Sequence, residues 1–319
     1  MRKLLARHSP LLILAALSLA ISMVSPDFRQ LGNLQSVLMR TCVIAIMAIG
    51  QTLVIIAGGI DLSVGQVAAL GGVVSARLAQ PGFGWPVAAA IVAGTGAGAV
   101  CGLINGLLVA RAKVPPFIAT LGMMMAARGF VFLISEGQTV SGMPKAFNIL
   151  GGSVRVWGLA GWWIPVLATA VLCLIFTTLL TLTPLGRRIF ATGGNPVGAR
   201  MSGIPVDRVR IIVFTLCGLT AGFAGCLLAS RTGVGDPSSG QGRELDAIAA
   251  CVIGGASLMG GEGTVIGAAA GALIMEVLVN ICNLMDVKNY WQDVMVGTIV
   301  VALVSYDVWR RRRSGLLRE

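Results

Sequence analysis

Charge, histidine and aromatic side chains are all scarce in this chain of 319 residues. Charged residues make up 12% of it, about half the share of a soluble domain, whereas hydrophobic residues make up 56% and the mean hydropathy is +0.87. A single soluble core cannot take up that much apolar surface, so the composition specifies an integral membrane protein. The one histidine, His8, stands in the N-terminal tail, which excludes a histidine-based triad, acid–base pair or metal cluster. No G-x-x-x-x-G-K-[ST] loop occurs, so the chain has no means of holding ATP in that way. None of the seven cysteines belongs to a C-x-x-C pair, so neither a disulfide framework nor a zinc site is indicated. The net charge of +11 does not mark a nucleic-acid binder, because the basic residues lie between apolar runs and not on one polar face.

What the chain has in plenty is glycine, with 43 residues, nearly double the usual share and placed inside the apolar runs. Small residues let membrane helices approach closely and permit broken helices. The apolar segments predict ten spans, near 9–24, 37–57, 64–79, 85–109, 116–134, 162–182, 211–229, 245–259, 265–284 and 291–308. A span takes about 20 residues, so 64–79 and 245–259 are short, and short glycine-rich spans often build a translocation site. With a cytoplasmic N-terminus, 15 of the 24 Lys/Arg fall in cytoplasmic segments and 8 outside, while Arg128 lies within a span. That is the sign of the positive-inside rule. Both termini are then cytoplasmic, Arg310–Arg313 anchors the tail, and 183–210 is the main cytoplasmic loop. Spans two to five and seven to ten would form two four-helix units of opposite orientation, an inverted repeat in an all-α fold.

Three blocks carry chemistry. Gly58-Gly59-Ile60-Asp61-Leu62-Ser63-Val64-Gly65 interrupts the apolar sequence with an acid. Asp61 or Ser63 can cap the helix that begins at Val64, and a charge at membrane depth faces a cavity or a partner; the two readings are compatible. The second block, Glu244–Thr264, again opens a short glycine-containing span with an acid. The third lies in the 183–210 loop, where Asn195 suits an N-cap, Pro196 the first helical position and Gly203 the end of a short helix. Two turns of helix are marginal alone in water, so this one is expected to dock on something.

The GGIDLSVG block, the Val114–Gly122 run, the Arg128-Gly129 pair, the Gly-Gly-Asn loop and the Glu244–Thr264 block together resemble the ribose/xylose-type permeases of bacterial ABC importers. The motifs occur in order over almost the whole chain. The resemblance implies a multi-pass protein of the bacterial inner membrane that carries a monosaccharide, pentose or hexose, into the cytoplasm by alternating access. It implies as partners a second permease copy or paralogue, ATP-binding cassette subunits that carry ATP and magnesium, and a periplasmic sugar-binding protein. This chain itself would bind no cofactor and hydrolyse nothing. The resemblance also makes the Asn195–Gly203 helix the coupling helix seated in the ATPase. Asn195, Pro196, Ala199, Arg200 and Gly203 are the coupling candidates, with Arg200 expected to contact an acidic rim on the ATPase.

Other classes stay open on the residues alone. A relative in the same superfamily would carry branched-chain amino acids or nucleosides, and a secondary transporter would use Asp61 and Glu276 as an ion relay. For the translocation path the candidates are Asp61, Ser63, Asn105 and Arg128, with Arg128 expected to compensate Asp61. Glu276, Asn280 and Asn283 follow helical spacing and form one polar stripe, expected to serve helix–helix hydrogen bonding more than substrate contact. The 6% of aromatic residues gives little sign of a stacked sugar pocket.

Overall fold

A computed structural model describes residues 14–305 apart from positions 17, 20, 24, 157, 289, 293, 300, 303 and 304. The expected first span, near 9–24, and last span, near 291–308, each lie partly outside the described residues, and Arg310–Arg313 and His8 lie wholly outside them. The described chain is almost wholly helical: α1 Leu31–Ile56, α2 Val64–Ala79, α3 Val87–Ala110, α4 Pro116–Ser135, α5 Trp163–Leu182, α6 Pro184–Gly194, α7 Pro196–Met201, α8 Val206–Thr232, α9 Arg243–Ile253 and α10 Val265–Leu284. A two-stranded hairpin, Arg155–Val156 with Leu159–Ala160, sits in the connection from α4 to α5. Among the described residues six helices are long and apolar enough to cross a membrane, namely α1, α3, α4, α5, α8 and α10. The protein is a polytopic helical membrane protein.

The bundle is built around α1. Every residue from Thr41 to Ala57 is buried, as expected of a helix that is apolar on all sides and surrounded by others. Helices α3, α4 and α5 lie at the periphery and present large apolar side chains, among them Leu133, Leu174 and Leu182, a density suited to cover by lipid or by further membrane helices.

Helices α3 and α8 form the most extensive pair in the bundle. Gly94, Gly98, Gly102 and Gly106 recur at every fourth position of α3; the first three meet Gly218 and Gly222 of α8 backbone to backbone, and Gly106 meets the Ile211 backbone. A Cβ on Gly98 would lie 2.7 Å from the Gly222 Cα, closer than carbon atoms approach. Lipid tails supply no hydrophobic drive for helix association, so this seam holds through dispersion contacts that larger residues would prevent. At 27 residues α8 is about 40 Å long, more than the roughly 30 Å hydrocarbon core, and it begins at Val206, next to α7.

Candidate functional site

The turn between α1 and α2 folds around Asp61. Gly58 ends α1 with φ +81, a left-handed conformation that glycine takes without strain. The Asp61 carboxylate then accepts the Ser63 N–H at 2.8 Å and the Ser63 hydroxyl at 2.6 Å. The Ser63 side chain makes no capping bond of its own, so of the two capping candidates Asp61 organises the turn. Asn105 on α3 donates its amide to the Ser63 hydroxyl at 3.0 Å. Gln51 on α1, with its amide turned to satisfy both groups, pairs with the backbone of Asp61 at 3.1 and 3.3 Å. Gln51, Asp61, Ser63 and Asn105 are each 1% exposed or less. Three of the four path candidates therefore converge in one sealed polar cluster.

Arg128 does not join it, which corrects the expected Asp61–Arg128 pairing. Arg128 is exposed on α4 with its guanidinium 5.9 Å from the Phe132 ring centre, one turn further along. The reason is helical phase. Ala119, Thr120, Ala127 and Val131 form the inward face of α4, and Arg128, one residue past Ala127, is turned away from it.

The 183–210 segment contains two helices where one was expected. Thr183 caps α6 by accepting the Gly186 N–H at 3.2 Å, and Asn195 caps α7 by accepting the Gly198 N–H at 2.8 Å with Pro196 in the first turn. Gly203 follows at φ +79. Ala199 faces inward at 5% exposure, whereas Val197 and Met201 stand 67% and 86% exposed. Arg200 pairs with Asp207 at 3.1 Å, and Lys113, from the turn after α3, reaches the same carboxylate at 2.8 Å. Arg200 is thus tied within this chain while half-exposed, and the most exposed large side chains of α7 are the apolar Val197 and Met201. Sequence reasoning missed Val197, Met201, Lys113 and Asp207; the alternation of Val197 and Met201 with Ala199 was the available signal.

Helix α6 ends against the core. Gly193 touches the Ile56 carbonyl, and Gly260 packs on it so closely that a Cβ there would lie 2.8 Å from the Gly193 oxygen and 3.0 Å from the Gly58 Cα. The Gly261 N–H donates to the Ile56 carbonyl at 2.9 Å. Gly58 from the α1–α2 turn, Gly193 from the end of α6, and Gly260 and Gly261 from the α9–α10 turn therefore form one backbone joint next to the Asp61 turn.

A second turn of the same design follows α8. Gly233-Val234-Gly235-Asp236-Pro237-Ser238-Ser239-Gly240 repeats the Gly-x-x-Asp-x-Ser-x-Gly spacing of Gly58–Gly65. Gly233 ends its helix at φ +72, and Asp236 accepts the Ser238 N–H and hydroxyl, both at 2.8 Å. The acid that answers Asp61 is therefore Asp236, eight residues before the Glu244 expected to open the second short span. The polar stripe of α10 divides by neighbour. Asn280 exchanges two hydrogen bonds with Asn33, at 2.8 and 3.0 Å, Asn283 accepts from Gln292 at 2.8 Å, and Glu276 turns toward a cavity.

A permease model, described as the branched-chain amino acid transport system / permease component, matches residues 33–304. The chain belongs to this family. The permease is 40% identical to the ribose import permease protein RbsC of Escherichia coli (strain K12) over 95% of this chain and 94% of that relative. It is 36% identical to the L-arabinose ABC transporter permease protein AraH of Azospirillum brasilense over 99% and 91% of the two chains. With the xylose transport system permease protein XylH of Escherichia coli (strain K12) the identity is 37%, over 88% and 86%. No solved structure gives a significant match.

Proposed function

We propose that the chain is the membrane-spanning subunit of an ATP-driven importer that carries a monosaccharide, pentose or hexose, received from a periplasmic binding protein. The similarity to ribose, arabinose and xylose permeases over nearly the full chain carries this reading. ATP and magnesium belong to a separate ATPase subunit, and α7 is the element seated in it. Its exposed Val197 and Met201, backed by the Asn195 cap and the Arg200–Asp207–Lys113 struts, suit a hydrophobic cleft on a partner. Motion of α7 passes through α6 to the glycine joint at Gly58 and Gly260, and so to α2 and α9. The protein lies in the inner membrane with both termini and α7 on the cytoplasmic side.

Arg128 supports a partner on α4. An unpaired charge at the bilayer centre costs about 2.5–3.5 kcal/mol on insertion scales, so its face is better turned to a second permease copy or paralogue, or to a path between the two, than to lipid. The inverted-repeat reading draws support from the two Gly-x-x-Asp-x-Ser-x-Gly turns, one after α1 and one after α8.

The test is reconstitution with the ATPase and binding protein encoded beside it. Co-purification and ATP-dependent uptake of D-ribose, L-arabinose or D-xylose is the expected result. Uptake driven by a proton or sodium gradient with no ATPase bound would sink the reading in favour of secondary transport.

A further inference from the structure

At the end of the bundle away from α6 and α7, a cavity of about 530 Å³ opens between the N-terminal half of α1, the Asp236 turn, the start of α9 and the C-terminal half of α10. Arg40, at its rim, lies about 24 Å along α1 from Ile56 in the glycine joint. The volume is within the roughly 300–1,000 Å³ of small-molecule sites. Most of the wall is polar, with Arg40, Arg243, Asp246, Glu276, Asn283 and Gln292 contributing, and among the described residues no aromatic ring faces it.

Glu276 is the telling group. It is only 7% exposed, and its fully buried Oε2 meets no hydrogen-bond donor among the described residues. A buried carboxylate oxygen without a donor is costly and uncommon, and here it belongs to a residue on a cavity wall. Arg40 forms no ion pair among the described residues. Three carboxylates, Asp236, Asp246 and Glu276, are interspersed with the guanidinium forks of Arg40 and Arg243 and with amides, a formal balance of −1 that leaves no place for an anion. A solute bearing several hydroxyls suits such a wall, donating to the Glu276 carboxylate and accepting from the Arg40 guanidinium. A branched apolar side chain would find only Ile44, Met275, Val279 and Val296.

We infer that this cavity is the permease's own solute site, for a neutral polyhydroxylated molecule of monosaccharide size, with Glu276 accepting from its hydroxyls. The inference rests on the import reading for the direction of traffic and on the cavity for the site. The twin turns give it a place in the cycle. Asp236 and Ser238 line this open cavity, while Asp61 and Ser63, their counterparts, are sealed on the side of the glycine joint. The site is thus open on one side of the midplane and shut on the other.

The test uses the full chain in lipid nanodiscs. Ser239, a cavity residue, is replaced in Ser239→Cys, and labelling by a membrane-impermeant maleimide is compared with the parent chain. Labelling above the parent is expected, and millimolar D-ribose, L-arabinose, D-xylose or D-glucose should suppress it while L-leucine does not. Adding Glu276→Gln or Glu276→Ala should raise the protecting sugar concentration about tenfold or more, with the elution profile and melting temperature confirming that each variant folds. No labelling, protection by leucine alone, or unchanged protection in both Glu276 variants would overturn the site. The readout needs no ATPase. Protection by sugar in a chain that shows no ATP-driven uptake would therefore overturn the import reading and leave the site standing.

Discussion

Gly65 and Gly240 stand face to face, each with its carbonyl in the space that a Cβ on the other would fill. They occupy the same position in the two Gly-x-x-Asp-x-Ser-x-Gly turns, so two like elements meet at like residues. Contact between equivalent residues is what a local two-fold axis would produce, and this contact lies between the starts of α2 and α9. Backbone on backbone leaves no flexible side chain to give way. Gly65→Ala and Gly240→Ala should each destabilise the protein by about 1–3 kcal/mol, and uptake should fall with them. Thermal unfolding in detergent checks this, and a wild-type melting temperature in both variants would remove the tight junction.

Asp61 is held by Ser63 and not by Arg128, which separates the effects of the two charges. Asp61→Ala strips a buried N–H and a hydroxyl of their acceptor and should cost about 1–3 kcal/mol. Asp61→Asn keeps an acceptor oxygen and should cost less. The change Arg128→Ala should add to either without coupling. A double-mutant cycle in melting temperature with a coupling energy above about 0.5 kcal/mol would restore the pairing.

On α7, the Ala199 N–H donates to the Asn195 carbonyl at 2.9 Å. Ala199→Pro removes that bond and should break the helix at about 3 kcal/mol or more, and Asn195→Ala should cost about 1 kcal/mol of cap. Both variants should insert in the membrane normally. In the assembled importer, Ala199→Pro should lose uptake and the stimulation of ATP hydrolysis by loaded binding protein. Full stimulated hydrolysis and uptake would take the coupling role away from this helix.

The exposed positions of α7 order the docking contacts. Met201→Asp and Val197→Asp should abolish co-purification of the ATPase. Arg200→Ala should only weaken it, because its ion pair with Asp207 is half-exposed and worth about 0–1 kcal/mol. A pull-down in which Arg200→Ala is as damaging as Met201→Asp would reverse the assignment.

On the proposed coupling route, Gly193 is the point where α6 meets the core, at the Ile56 carbonyl. Gly193→Ala forces the two backbones apart, whereas Gly194→Ala meets nothing within 4 Å and serves as the control. Uncoupled ATP hydrolysis, with uptake lost in the first variant and kept in the second, is the expected outcome. Equal behaviour of the two would mean the joint carries no motion.

Local features were legible in the chain itself. The membrane class follows from composition, the break at Gly58–Gly65 from polar residues and glycines inside an apolar run, and the α7 cap from Asn195-Pro196. Each depends on neighbours in sequence, and so does the family resemblance, which is carried by ordered motifs. The partnerships were decided elsewhere. Arg128 lies outside the Asp61 cluster, Arg200 is tied to Asp207, Asn280 meets Asn33, and Glu276 on the same helix faces a cavity. Each of these turns on the rotation of a helix about its axis and on its depth against its neighbours. Those quantities are set where glycine seams such as Gly98 on Gly218 let backbones touch, and they exist only once distant helices have packed.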